Sequence, residues 1–378
     1  MPRVGGRFSV LIGVLCCAAL SPAMGAEPCR ARSDYDTITA TVTERFYDKT
    51  FRGLDWPSRV AQYRKLVRCS DDEAKVAVQV NRLLSELHAS HTALYTKADI
   101  DYWGLNSLFS STTDAYAIEF AGIWPQQREG RWYAKYVFED SPAARAGLVQ
   151  GDELLKINGR PFAPLGFTGR SDVLTFSRGG KPPREVSLQA SHQNILQAFV
   201  RSSAASRQIL TAGDERVGYF HLWTARETIL QSLKDSLSEF ETARVDALII
   251  DLRGGYGGTS PDYLEPLRKS AYLTSIPVYF LIDDGVRSGK EMLAAMVRRD
   301  KLGTLVGSRT AGGFLGAAPI RLLDERYFLL LAVRGGLPLD LPPIEGVGVR
   351  PDVSVPACRA RCGAPDTELA KALELIRR

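Results

Sequence analysis

The chain has 378 residues, 45% hydrophobic and 24% charged, with a formal charge of +5. That length favours two or three domains, and so mild a charge with no basic run does not imply nucleic acid as a partner. After the N-terminal leader no stretch reaches about 18 unbroken apolar residues, which excludes a permanent membrane helix there.

Residues 1–25 have the layout of a secretory signal peptide. Arg3 and Arg7 precede the apolar run FSVLIGVLCCAAL, and a turn at Ser21-Pro22 leads to the small-residue stretch Ala23-Met24-Gly25. A lipoprotein reading is weaker, because bulky Leu15 precedes Cys16 and Cys17 follows it. Cleavage removes two arginines and no acid, leaving +3 and an exported chain, periplasmic or secreted. Cys29, Cys69, Cys358 and Cys362 then remain. An even number in an exported chain points to disulfides, with three pairings open. Grouping within each terminal segment favours Cys29–Cys69 and Cys358–Cys362. The absence of a CxxC pattern or a nearby histidine argues against zinc, and no metal or cofactor is expected.

Residues 27–112 form a mostly helical region, in which NRLLSELHASH places Leu83, Leu84 and Leu87 at helical spacing. Residues 113–192 change character: the strand-like runs AYAIEFAGIW, WYAKYVF and REVSLQAS are separated by turn residues. Within them, SPAARAGLVQGDELLKINGRPF reads as a short helix opened by Ser141-Pro142 and ended by Gly147, then a turn at Gly151-Asp152 and a strand. This segment resembles a PDZ domain of the bacterial protease type. The resemblance implies a groove in which a peptide adds a strand beside Tyr116, Ala117 and Ile118. The loop that meets the peptide carboxylate in such domains is glycine-rich, and here it reads Ala115-Tyr116-Ala117. A small packing domain without a ligand is the alternative.

Residues 193–378 read as α/β. RVGYFHLW is a strand, and TARETILQSLKDSLSEFETA is an amphipathic helix for which Thr224 and Glu227 supply a capping-box signature. ALIIDL, VYFLI and TLVG follow as strands, so a parallel sheet covered on both faces is expected. TELAKALELIRR closes the chain as a helix after Pro365-Asp366. ALIIDL breaks into the glycine loop Asp251–Gly258, and about 30 residues on Ser288 stands where VYFLI gives way to a helix. Close-approach glycines beside a serine at a helix N-terminus make an oxyanion site for acyl transfer, with the amides of Gly257, Gly258 and Gly289 as donors.

In chain order, LHASHTALYT, AYAIEF, SPAARAGLVQGDELLKING, VGYFHL, LIIDLRGGYGG, the Ser288 segment, TLVGSRTAGG and IEGVGVRPDV resemble the carboxy-terminal processing (tail-specific) serine proteases. The resemblance implies a crotonase-like β-α spiral core carrying an inserted PDZ domain. One branch of that family places a catalytic lysine 25 residues after the nucleophile; position 313 here is Gly313. Lys290 is a poor substitute, because two positions along a helix turn the side chain to another face. A second branch, similar to the tricorn core protease, uses a serine–histidine pair, a nucleophilic serine and a late glutamate. Ser90, His91, Ser288 and Glu345 match that set.

The chemistry is coherent. A serine hydroxyl needs a base in hydrogen-bond contact, and His91 can take the proton and return it to the leaving amine. Ser90 or Glu345 would hold the imidazole tautomer. Each residue also has a plainer role: Ser288 with Glu291 is a capping box, His88 rivals His91 one turn earlier, and Glu345 sits beside a turn. Asp251 and Arg253 read as structural. The leading expectation is an exported serine endopeptidase with a PDZ domain positioning peptide or protein substrates. The alternatives are a non-catalytic peptide- or hydrophobic-ligand-binding member of the same fold, or an esterase using the same serine.

Overall fold

In the computed structural model the described residues are Met1, 29–110, 115–258, 261–336, 341–356 and 366–377. The expected leader, Cys358 and Cys362 lie outside them. ALIID is apolar up to Asp251 and VYFLI is apolar or aromatic throughout, as expected of strands buried on both faces. They form the middle of a six-stranded sheet ordered Gln208–Ala212, Glu215–His221, Ala247–Asp251, Val278–Ile282, Thr304–Gly307, Val353–Ser354. The first pair is antiparallel and every later pair parallel. Successive side chains point to opposite faces. Leu248 and Ile250 therefore meet the helices Glu227–Thr242 and Gly289–Arg299, whereas Ile249 and Leu281 meet the terminal helix Thr367–Ile376. Each such fully buried aliphatic contributes roughly 1.5–3 kcal/mol.

The N-terminal region is helical, as expected, but it packs on a sheet that the sequence reading did not find. Helices Arg30–Arg45, Trp56–Arg64 and Glu73–Ser85 share a core with the antiparallel strands Ala93–Thr96, Tyr327–Arg334 and Gly316–Leu322. The Cys29–Cys69 disulfide is present and closes a span of 40 residues.

Residues 123–189 make a separate antiparallel sheet, with strands Ile123–Arg128, Arg131–Val137, Glu153–Ile157, Ser171–Ser177 and Arg184–Gln189. It has its own core of Ile123, Leu148, Leu154, Leu174 and Leu188. The short helix Pro142–Arg145 is capped by Ser141, whose Oγ accepts from Ala144 N at 3.1 Å. Ile118–Phe120 pairs with Ser191–Gln193 where the chain enters and leaves this module. Several contacts fasten the module to the central sheet. Tyr136 donates to Asp283 Oδ2 at 2.9 Å, and Phe138 stacks on Trp223 with ring centroids 4.3 Å apart.

Two local expectations are corrected. The helix begins at Glu227 with Arg226 as N-cap and without a side-chain cap, so Thr224 does not cap it. Thr224 lies in the short strand Thr224–Ala225 beside Tyr256–Gly258, and its hydroxyl donates to Gly257 O at 2.6 Å. A tertiary acceptor has outcompeted the local one. The helix around NRLLS stops at Ser85, so His88 is not on a helix; it turns out at φ 46° and is exposed.

Candidate active site

Strand Val278–Ile282 runs out at Asp283, whose carboxylate accepts from Gly285 N at 2.9 Å and Gly254 N at 3.3 Å. The chain then turns sharply at Ser288, with φ 57° and ψ −127°, before entering helix Gly289–Arg299. A serine held in that region costs about 1–3 kcal/mol, which the surroundings must over-determine. They do so through Glu291 and Gly313. Ser288 N donates to Gly313 O at 2.8 Å, and Glu291 accepts from Ser288 N at 3.3 Å. The same Glu291 carboxylate also accepts from Thr310 Oγ1 at 2.6 Å, Gly312 N at 2.6 Å and Gly313 N at 2.7 Å. The capping signature at Ser288 is thus real, and its glutamate braces the neighbouring loop as well. Burial pushes the Glu291 carboxyl up despite those four donors.

The glycine loop closes on this elbow. A Cβ at Gly257 would stand 2.6 Å from Ser288 Cβ and 2.9 Å from Gly289 N, and one at Gly289 would stand 1.9 Å from Gly258 O. Only glycines allow this approach: Gly257 packs on Ser288, and Gly258 packs on Gly289 at the start of the helix. Gly254 and Gly255 carry positive φ of 62° and 61°, and a Cβ at Gly255 would fall 1.8 Å from Trp223 O. Lys290, fully buried, fixes the same loop by donating to Leu222 O at 3.2 Å, Trp223 O at 3.3 Å and Gly254 O. Those acceptors direct it to the sheet side of the loop. Burial lowers its ammonium to about 7, against the pull of Asp283 and Asp251.

Ser90, His91 and Glu345 also converge. Ser90 Oγ donates to Glu345 Oε2 at 2.7 Å and lies 3.1 Å from His91 Nδ1, while Ser90 N donates to Glu345 Oε1 at 2.9 Å. Glu345 Oε2 further accepts from Phe314 N at 2.8 Å and Leu315 N at 3.1 Å. Because Ser90 spends its only proton on Glu345, it can meet His91 Nδ1 only as an acceptor. The imidazole therefore carries its proton on Nδ1 and leaves Nε2 free to act as a base. Burial, then the Arg287 charge, lower His91 to about 4, with Glu345 opposing.

Gly313 joins the two halves. It accepts from Ser288 N, and a Cβ placed on it would lie 3.6 Å from Ser90 Cβ and 3.7 Å from His91 Cε1. A side chain at 313 would begin in van der Waals contact with the Ser90–His91 pair. No hydrogen bond joins Ser288 to His91 among the described residues; the two flank Gly313.

The remaining expected residues lie elsewhere. Tyr116 has φ 62°, and its hydroxyl sits 3.2 Å from both Glu325 oxygens with Arg321 over its ring, while Ile118 pairs with Gln193 and Ala117 lies between them. A groove of about 740 Å³ does occupy the small module, between helix Pro142–Arg145 and residues 187–192, and Glu119 and His192 pair at 2.8 Å on its wall. It contains none of the four convergent residues.

The sequence reading also missed a buried cluster behind the glycine loop. His221 lies 2.6 Å from Glu139 Oε1 through Nδ1 and 3.0 Å from Arg253 O through Nε2, and Trp223 Nε1 donates to Glu139 Oε2 at 2.5 Å. Burial opposes the imidazolium, but Asp251 and Glu139 outweigh it and raise His221. Arg253 joins Asp251 to Asp366 and Glu368 of the terminal helix, which answers which carboxylates it pairs with. Neither histidine nor glutamate stands in a recognisable motif, and 82 residues separate them.

A strained serine elbow, glycines packed against it and a Ser–His–Glu chain beside it form an arrangement of the acyl-transfer kind. Residues 259–355 match the profile of Peptidase family S41. The putative tricorn protease homolog 2 of Streptomyces coelicolor is 23% identical over 85% of this chain and 30% of its own length. The chloroplastic carboxyl-terminal-processing peptidase 3 of Arabidopsis thaliana is 24% identical over 82% of this chain and 66% of its own. The carboxy-terminal processing protease CtpA of Bacillus subtilis is 22% identical over 65% and 57%. The chain thus spans less than two thirds of each of these relatives. Among solved structures, the photosystem II D1 C-terminal processing protease superposes with a TM-score of 0.54 at 17% identity, covering 92% of this chain and 97% of that one. The tricorn protease gives 0.52 at 16%, covering 92% of this chain and 36% of that one. These two likenesses establish the fold. Residues 259–355 thus resemble a peptidase S41 domain, and over most of its length the chain is similar to the carboxyl-terminal processing proteases.

Proposed function

We propose that the protein is an exported serine endopeptidase. Ser288 Oγ attacks the peptide carbonyl, and its proton passes to His91 Nε2. The tetrahedral oxyanion is held by amides among Gly257, Gly258 and Gly289, where one such donor is worth about 3 kcal/mol. Collapse expels the amine, which takes the proton back from His91, and water then repeats the cycle on the acyl-enzyme. Ser90 and Glu345 hold the imidazole with its Nδ1 proton inward. The observation that carries this reading is the juxtaposition at Gly313, which accepts from Ser288 N and whose missing Cβ would meet the Ser90–His91 pair.

The module of residues 113–192 serves, in this reading, as a PDZ domain that presents peptides, its groove beside Glu119 and His192 offering polar walls for an extended chain. Export rests on the leader composition of residues 1–25; no helix among the described residues is long and apolar enough to cross a membrane. The test is hydrolysis of unstructured protein and fluorogenic peptides by the purified mature chain. Ser288→Ala should abolish cleavage, and full retention of cleavage by that variant overturns the assignment.

One observation favours a binding scaffold instead: Ser288 and His91 share no direct hydrogen bond among the described residues. On that reading the wild type binds peptides and cleaves none.

A further inference from the structure

Arg287 immediately precedes Ser288 at the tip of the elbow and is exposed. Its Cβ lies 3.8 Å from the point where a side chain on Gly313 would begin, and His91 Cε1 lies 3.7 Å from the same point. The arginine stem and the base therefore border one gap beside the nucleophile. Among the described residues no hydrogen bond or ion pair engages the guanidinium. The nearby acid, Asp101, is committed elsewhere: it accepts from Tyr256 Oη at 2.9 Å, and burial holds its carboxyl up. Arg287 nevertheless acts on its surroundings, since after burial it is the main influence against protonation of His91.

This arrangement handicaps the reaction proposed above, on which the inference rests. Proton transfer creates an imidazolium on His91 within the field of the Arg287 cation, and like charges oppose it. Glu345 reaches the imidazole only through Ser90. An anion delivered to Arg287 by the substrate would remove the handicap, and a guanidinium recognises a carboxylate through two parallel hydrogen bonds.

We infer that Arg287 is a specificity-determining residue that receives a substrate carboxylate within one residue of the scissile bond. The substrate class is a peptide with an acidic residue flanking the cleaved bond, or one whose free C-terminus lies there. The carboxylate takes part in no bond making; it pairs with Arg287 and thereby raises the proton affinity of His91 as the substrate docks.

The test uses short peptides differing only by Glu or Gln on each side of a central bond, and a matched pair ending in a free acid or an amide at that bond. Each is scored by its protection of Ser288 from a fluorophosphonate, which needs no turnover, and by hydrolysis. The wild type should favour one carboxylate form by about tenfold, the scale of a charge-assisted hydrogen bond. Preference in the Glu/Gln pair assigns the carboxylate to a side chain, and preference in the acid/amide pair assigns it to the chain terminus. Arg287→Ala should bring the ratio within twofold, and Arg287→Glu should turn it toward a Lys-bearing peptide. Because each ratio is taken within one variant, a loss of folded protein cancels. Wild-type ratios all within twofold, or a ratio that survives Arg287→Ala, overturn the inference. Failure of the wild type to label at all removes the acyl-transfer reading and the inference with it.

Discussion

Ser90 donates its hydroxyl to Glu345 across 255 residues of sequence, and spending that proton there leaves Ser90 an acceptor toward His91 Nδ1. Ser90→Ala removes the acceptor for Nδ1–H and lets the tautomer choose freely. Its kcat should fall by about 10²–10⁴-fold with little change in KM, the range expected when a general base is disabled. A KM-only effect in steady-state kinetics would place Ser90 in substrate binding instead.

Gly257→Ala should leave the fold intact and destroy the site. Its new Cβ would stand 2.6 Å from Ser288 Cβ and 2.9 Å from Gly289 N, so the nucleophile or the loop must move. A loss of about 10²-fold or more in kcat, typical for a removed oxyanion donor, is expected with unchanged circular dichroism. Near-wild-type turnover would show that Gly257 does not pack on the reacting carbonyl.

The pH dependence follows from His91. Burial and Arg287 lower it to about 4, so the base is unprotonated through the neutral range and activity should hold level on acidification well below 6.5, falling only near 4. Stability has the same sign. The folded value is below the unfolded one, the unfolded chain binds the extra proton between them, and stability from this residue is lost as pH falls from about 6.5 toward 4. A pH–rate profile breaking near 6.5 would contradict the environment described for His91.

His221 works in the opposite direction. Its folded value is raised by Asp251 and Glu139, so its contribution is full below about 6.5 and is lost as pH rises through the raised value. Glu139→Gln breaks a part-buried pair and should cost about 3 kcal/mol while reducing that alkaline loss, since Asp251 remains. Urea melts at several pH values read both, and a pH-independent difference between wild type and variant would argue against an imidazolium there.

Reduction of Cys29–Cys69, whose span is 40 residues, should lower stability by about 2–4 kcal/mol. A thermal melt unchanged by reductant would mean that the helices Arg30–Arg45 and Glu73–Ser85 are held by packing alone.

The legible parts of the sequence were those set by local rules. Aliphatic runs announced the parallel strands, the glycine loop announced a close backbone approach, and Asp366 announced the last helix. Ser288 was legible at a strand-to-helix junction, whereas His91, Ser90 and Glu345 were singled out through a resemblance in motif order, since spacing alone cannot bring residues 90 and 345 together. What stayed hidden depended on distant partners. Thr224 looked like a cap until Gly257 O offered a better acceptor. His221 looked unremarkable because its carboxylate comes from a different module. Tyr327–Arg334 escaped notice because its partners lie on both sides of it in space and one is more than 200 residues away, at Ala93–Thr96.

The most direct measurement is fluorophosphonate labelling of the purified mature protein, with mass spectrometry to locate the adduct and His91→Ala as the control. The account predicts an adduct on Ser288 that drops by about 10²-fold or more without His91. An adduct on another residue, or labelling of Ser288 equally fast in His91→Ala, contradicts it.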